Sequence, residues 1–154
     1  MTPIQDAVES FLTETGWGFE RHASEPAVAV QIAGDNGRFS LYIQFDEGRK
    51  QLVAYALSPV RCPPARRGAM LELIARANWG LILGNFEMHL DTGDVRFKTS
   101  ADVEAATFTP AGAAPILFPN VLSMDRYLPA IMAVIYSERS PEELVAEVEA
   151  SSAS

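Results

Sequence analysis

The dipeptide Asn36-Gly37 stands between two runs in which apolar and polar residues alternate: Val28, Val30 and Ile32 before it, and Phe39, Leu41, Ile43 and Phe45 after it. A two-residue period puts one set of side chains on one face of a strand. Asn-Gly supplies the positive φ angles that a tight hairpin loop demands. The chain is thereby constrained to hold an antiparallel pair with one apolar face, while Ser40, Tyr42 and Gln44 lie on the other. Sheets of this kind bury the apolar face under helices packed on a single side.

Further strands follow from the same pattern. Trp17 and Phe19 fit a short strand ahead of the hairpin, and Leu52 to Leu57 reads as another after the Glu47-Gly48 turn, stopped by Pro59, Pro63 and Pro64. A second hairpin is predicted from Phe86, Met88 and Leu90, the turn Asp91-Thr92-Gly93-Asp94, then Val95, Phe97 and Thr99. Charged residues or histidine occupy the alternate positions of both its strands.

The remaining segments carry helical spacing. Thr2 and Pro3 cap and open a first helix in which Ile4, Ala7, Val8, Phe11 and Leu12 share a face up to Gly16. Pro64 opens a second, with Met70, Leu73, Ile74 and Ala77 on one side and its end near Asn78 and Gly80. A third runs from Asn120 or Ser123 to Ser137, and Pro110, Gly112, Pro115 and Pro119 make residues 105–120 a loop or broken helix. Pro141-Glu142-Glu143 starts a short last helix. The expected fold is α+β: an antiparallel sheet of about five to six strands with helices packed on one face, in the order α-β-β-β-α-β-β-α. One domain is expected over residues 1–150, with 151–154 as a disordered tail.

Bulk properties exclude several classes of function. A chain of 154 residues that is 48% hydrophobic can build its own core without metal or disulfide staples. The formal net charge is −8 and no Lys/Arg block interrupts it, so the counterion release that drives nucleic-acid binding is missing. Nucleic acid and anionic membrane are not expected partners. Arg61, Arg66 and Arg67 do cluster, and are read as a solvated helix start. Cys62 is the single cysteine, so no intrachain disulfide is expected. Met1 to Phe11 lacks the pattern of a signal peptide, no apolar run spans a membrane, and a cytoplasmic location is the expectation.

No catalytic constellation declares itself. The sequence has no nucleophile elbow, phosphate loop, dinucleotide fingerprint or metalloprotease helix. His22 and His89 stand in different strands and are read as surface or edge residues rather than a metal pair. Cys62 has no histidine near it in sequence and is read as a bystander thiol. The turn Asp91 to Asp94 lacks the spacing of a calcium loop, and Asp102 and Glu104 are read as solvated carboxylates. No cofactor and no metal are expected.

The third helix is more informative, because Met124, Tyr127, Leu128, Ile131, Met132, Val134, Ile135 and Tyr136 occupy more than one stripe. A helix apolar on most sides needs cover on most sides. Either it is a central core helix, or Met124, Tyr127, Leu128, Ile131, Met132, Ile135 and Tyr136 also meet a partner subunit. Pro129 removes a backbone donor inside it and should kink or split it.

Asn78-Trp79-Gly80-Leu81, Gly84-Asn85-Phe86-Glu87, the Asp91 to Arg96 turn, and Asp125-Arg126-Tyr127-Leu128-Pro129 together resemble the YbjN-like family of bacterial sensory transduction regulators. The resemblance implies an α+β fold like that of type III secretion chaperones, a homodimer, a protein client and no enzymatic activity. It also gives mainly structural roles to Asn78, Trp79, Gly80, Gly84, Asn85, Asp125, Arg126 and Pro129, with Asn78 capping the second helix. The functional expectation is a non-enzymatic, protein-binding regulator or chaperone-like adaptor. The alternatives are a small-ligand sensor with a cavity between sheet and helices, and then an unrecognised enzyme.

Overall fold

The computed structural model describes residues 3–151. Thr2, the expected cap, and residues 152–154 of the expected tail lie outside the described residues. The chain runs as α1 (Ile4–Thr15), β1 (Phe19–Arg21), β2 (Ala27–Ala33), β3 (Arg38–Asp46), β4 (Gln51–Leu57), α2 (Arg67–Gly80), β5 (Asn85–Met88), β6 (Val95–Asp102), α3 (Ala114–Tyr136) and α4 (Pro141–Ser151). All six strands join one antiparallel sheet in the order β1-β2-β3-β4-β6-β5. The expected order holds once the short β1 and the last helix α4 are added.

Alternation sets which face is covered. In β3, Phe39, Leu41, Ile43 and Phe45 are buried while Ser40, Tyr42 and Gln44 between them are half-buried. Register then aligns the buried set across strands: Leu41 faces Val30 and Ala56, Ile43 faces Val28 and Ala54, and Phe97 faces Ala56. Ala54 and Ala56 are the small members of that surface, and α3 packs directly over β4 and β6. The approach is close enough for the Asn120 amide on α3 to donate to the Ala54 carbonyl at 2.9 Å.

The first hairpin forms where the sequence places it, with Ala33 opposite Arg38 and a loop of Gly34, Asp35, Asn36 and Gly37. Gly37 takes φ 151, and a Cβ there would sit 2.7 Å from the Leu128 side chain. In the second hairpin the strand ends at Met88, so Leu90 belongs to the exposed turn rather than to β5. His89 and Asp94 close that turn through a 2.9 Å backbone bond. Trp17 is not in a strand either; it meets Phe11 and Phe118 edge to face.

The largest correction concerns α3, which begins at Ala114, ahead of the expected Asn120 or Ser123, after a 3-10 turn at Pro110–Ala113. Pro115 lies in the first turn, where a missing N–H costs nothing. Pro119 and Pro129 lie inside the helix, yet it is continuous to Tyr136. Burial of Ile116, Leu117, Asn120 and Val121 holds the first turns against the sheet. Pro129 leaves the Asp125 carbonyl without its helical donor, and the Asn36 side-chain amide of the hairpin loop takes that place at 3.1 Å.

Candidate functional site

Most of the residues expected at a dimer contact lie inside the single chain. Met124, Tyr127, Leu128 and Ile131 are buried, and Met132 and Ile135 are half-buried against the core. The cover comes from the sheet, from α2, and from Leu144, Val145 and Val148 of α4. The apolar breadth of α3 is thereby satisfied within one chain, so the first four side chains present no surface to a partner. Only Tyr136, 71% exposed, stands free among the seven.

The Asp125 to Pro129 motif fastens the first hairpin to α3. The Asp125 carboxylate accepts the backbone N–H groups of Asn36 at 2.9 Å and Asp35 at 3.2 Å. A Cβ on Gly34 would lie 2.2 Å from Asp125 Oδ1, so the loop backbone rests on the carboxylate. Arg126 reaches over the Tyr127 ring at 5.4 Å, and its Nε is buried without a hydrogen-bond partner among the described residues.

Asn78 does not cap α2, contrary to expectation. Its amide clasps the edge strand β5, accepting the Phe86 N–H at 2.7 Å and donating to the Phe86 carbonyl at 3.1 Å. Gly84 takes φ 77, with the Lys98 carbonyl 2.6 Å from where a Cβ would be, so the chain can enter β5 only through glycine. Gly80 carries no such constraint, having only the Glu149 carboxylate at 3.7 Å. Between these anchors the turn holds Trp79 94% exposed, Ile82 95% exposed and Leu83 more than half exposed. Sequence reasoning gave Trp79 a structural role and passed over Ile82 and Leu83. The available signal was an apolar run, Leu81 to Leu83, between two glycines where a loop is expected.

The uncovered face of the sheet is a second surface. Across it run the rows Asp46–Gln51–Asp102, Gln44–Val53–Ser100, Tyr42–Tyr55–Lys98 and Ser40–Leu57–Arg96. Arg96 lies over the Tyr55 ring at 4.0 Å. Glu87 accepts from both Arg96 and Lys98 at 3.0 Å. Burial pushes the Glu87 carboxyl up, but those two cations more than offset it and hold it below the usual range. Burial, aided by a hydrogen bond to Glu25, pushes the Tyr42 hydroxyl up.

The residues screened for chemistry are engaged in structure. His22 Nδ1 accepts the backbone N–H groups of Ser24 and Glu25, and His89 Nδ1 those of Asp91 and Thr92, so each histidine braces a turn. Cys62 is buried, and burial pushes its thiol up against the pull of Arg67 and Arg66. The Asp102 carboxyl is held below the usual range by hydrogen bonds from Gln51 and from the Glu104 backbone. No group of three or more His, Cys, Asp or Glu among the described residues could hold a metal ion. The arginine cluster is not a merely solvated helix start: Arg66 donates to the Val134 carbonyl at 2.7 Å, and Arg67 to the carbonyls of Cys62 and Leu90. A void between sheet and helices, lined by Leu73, Ile74, Ala77, Phe86, Tyr127 and Ile131, has no room for a water molecule. No described helix is long and apolar enough to cross a membrane.

Residues 5–130 match the family model YbjN, described as "Putative bacterial sensory transduction regulator". Among solved structures the chain is similar to YbjN, "a putative transcription regulator from E. coli", with a TM-score of 0.62 at 12% identity, over 83% of this chain and 91% of that one. It is also similar to the Yersinia pestis type III secretion chaperone SycH in complex with a stable fragment of YscM2, with a TM-score of 0.49 at 16% identity, over 78% of this chain and 95% of that one. No curated protein matches the chain. At 12% identity the likeness to the E. coli protein is one of fold.

Proposed function

The chain belongs to the YbjN family, and from that premise we propose that it is a non-enzymatic regulator that works as a homodimer by binding another protein. The observation that carries this reading is the turn from Trp79 to Leu83. Three large apolar side chains face water there, between the Asn78 bonds to β5 at one end and the glycine-only entry at Gly84 at the other. Contiguous apolar exposure of this kind marks interaction surfaces, and tryptophan is the side chain most enriched among binding hot spots. The regulator reading also agrees with the void between sheet and helices described above, which is too small to hold a water molecule, let alone a small ligand.

The test compares native cell extract captured on the full chain with extract captured on Trp79→Ala and on Ile82→Ser, both at exposed positions that leave the core untouched. Circular dichroism checks the fold of each variant. A protein retained by the native chain and lost from both folded variants supports the reading. Identical capture by all three refutes the Trp79 turn as the binding surface.

A further inference from the structure

The uncovered sheet face is divided by charge along the direction of its strands. At one end a shallow cleft is lined by Glu25, Asp46 and Asp102 and by no Lys, Arg or His. Gln51 donates to Asp102 there, and Arg49 stands 3.9 Å from Asp46 outside the cleft. At the other end a second cleft is lined by Arg38, Arg96, His89, Glu87 and Asp94. Glu87 is engaged by Arg96 and Lys98, and Asp94 by Arg61 at 3.0 Å. Those two carboxylates and three cations balance only in part, and the exposed Arg38 has no carboxylate within reach among the described residues. One end is therefore anionic and the other carries excess positive charge.

The middle row, Ala29–Tyr42–Tyr55–Lys98, separates the two ends and is centred on two tyrosines. A second copy laid face to face must be related by a two-fold axis in the plane between the sheets. An axis parallel to the strands would set like ends against each other, which is repulsive. An axis across the strands, along the Tyr42–Tyr55 row, sets each anionic end over the cationic end of the other copy. On β3 the ends are self-complementary about that axis, because Asp46 and Arg38 stand four residues either side of Tyr42.

Resting on the homodimer reading above, we propose that the uncovered sheet face is where two copies of this chain pair, crossed over the Tyr42–Tyr55 row, with Asp46 of each copy opposite Arg38 of the other. Six strands span about 24 Å and the rows from Asp46 to Arg38 about 27 Å at ordinary strand spacings, a face on the order of 650 Å². A stable interface takes roughly 800 Å² from each partner, so the face alone supplies most of what is needed. Sheets stacked this way keep their strands within about 30° of each other, which leaves the end-to-end charge match in place.

The experiment measures the mass of the full chain by light scattering during size exclusion, and its dimer dissociation constant by analytical ultracentrifugation at low salt. The variants are Arg38→Glu, Asp46→Lys and the two combined. Both sites are exposed, and circular dichroism confirms that each variant folds. Each single reversal sets like charges against each other twice per dimer and is expected to weaken it about tenfold or more. The double variant restores opposite charges at both contacts and is expected to recover the native constant. A native chain that is monomeric at several hundred micromolar overturns the homodimer reading and this surface together. A dimer untouched by the single reversals but dispersed by Leu122→Glu or Tyr136→Glu overturns this surface alone, and so does a double variant as weak as the singles.

Discussion

Asp125 and Gly34 should fail to add when changed together, because one contact is the reason for both. Asp125→Ala removes the acceptor for the N–H groups of Asp35 and Asn36. Both bonds are exposed, so water replaces part of what is lost and each contributes about 0.5–1 kcal/mol, for a total cost of about 1–2 kcal/mol. Gly34→Ala places a Cβ 2.2 Å from Asp125 Oδ1 and 2.7 Å from its Cγ. The carboxylate must swing out, losing the same two bonds, so this change also costs about 1–2 kcal/mol. With Asp125 already alanine the carboxylate obstruction is gone, and the Gly37 carbonyl at 3.2 Å has to yield slightly. Alanine for glycine then restricts the unfolded chain, which stabilises by about 0.4–1 kcal/mol. The Gly34→Ala change is thus expected to reverse sign between the two backgrounds, with a coupling of about 1–2 kcal/mol. Urea unfolding followed by far-ultraviolet circular dichroism measures all four corners of the cycle. Additivity within about 0.3–0.5 kcal/mol would refute the idea that the hairpin loop rests on this carboxylate.

Asn78→Ala should cost about 1–3 kcal/mol and, by freeing the Phe86 backbone on the sheet edge, introduce concentration-dependent association visible by light scattering; an unchanged midpoint and mass would refute the edge-clasp role. Glu9 is held below the usual carboxylate range chiefly by its hydrogen bond from Arg21, against the cost of burial. Its folded value is depressed, so its contribution is complete above the unfolded glutamate value of about 4.3 and disappears as pH falls through the folded value. Urea midpoints between pH 5 and pH 2 should therefore fall less steeply in Glu9→Gln than in the native chain, and parallel curves would contradict the pairing. Cys62, buried and with its thiol pushed up, should react with an aromatic disulfide reagent at neutral pH only at the rate of unfolding. Immediate labelling of the folded protein would show the site to be open.

Period two was easy to read because each strand of the central sheet buries one face and leaves the other uncovered. Val28 to Ile32, Phe39 to Phe45 and Val95 to Thr99 all fell on the expected sides. The start of α3 was illegible for a reason of the same kind. Pro115 and Pro119 read as helix breakers from local propensity, but packing of Ile116, Leu117 and Val121 on the sheet overrides it, and Asn120 is 0% exposed in a place where a polar residue looks like a boundary. Whether the apolar breadth of α3 is core or contact is not legible, because the sequence shows how much of a helix is apolar, not what covers it. Leu144, Val145 and Val148 of α4 are part of that cover, and nothing in the α3 segment announces them. Trp79 and Ile82 show the reverse: their types suggest burial, and only the fixed points at Asn78 and Gly84 turn them outward.

The Asn78 clasp also bears on how this chain can fail. A sheet grows into a fibre when each copy offers two open sides, one to receive a strand and one to be received. Here β5 is four residues long, and the backbone of Phe86 in its middle is already occupied by a side chain from α2. The opposite side is covered by β1 only as far as Val30, leaving Gln31 to Ala33 beyond it. Two copies joined through that stretch would each turn a stopped side outward, so strand exchange ends at a pair. A terminator of this sort limits strand exchange to two chains, and it does so with one amide.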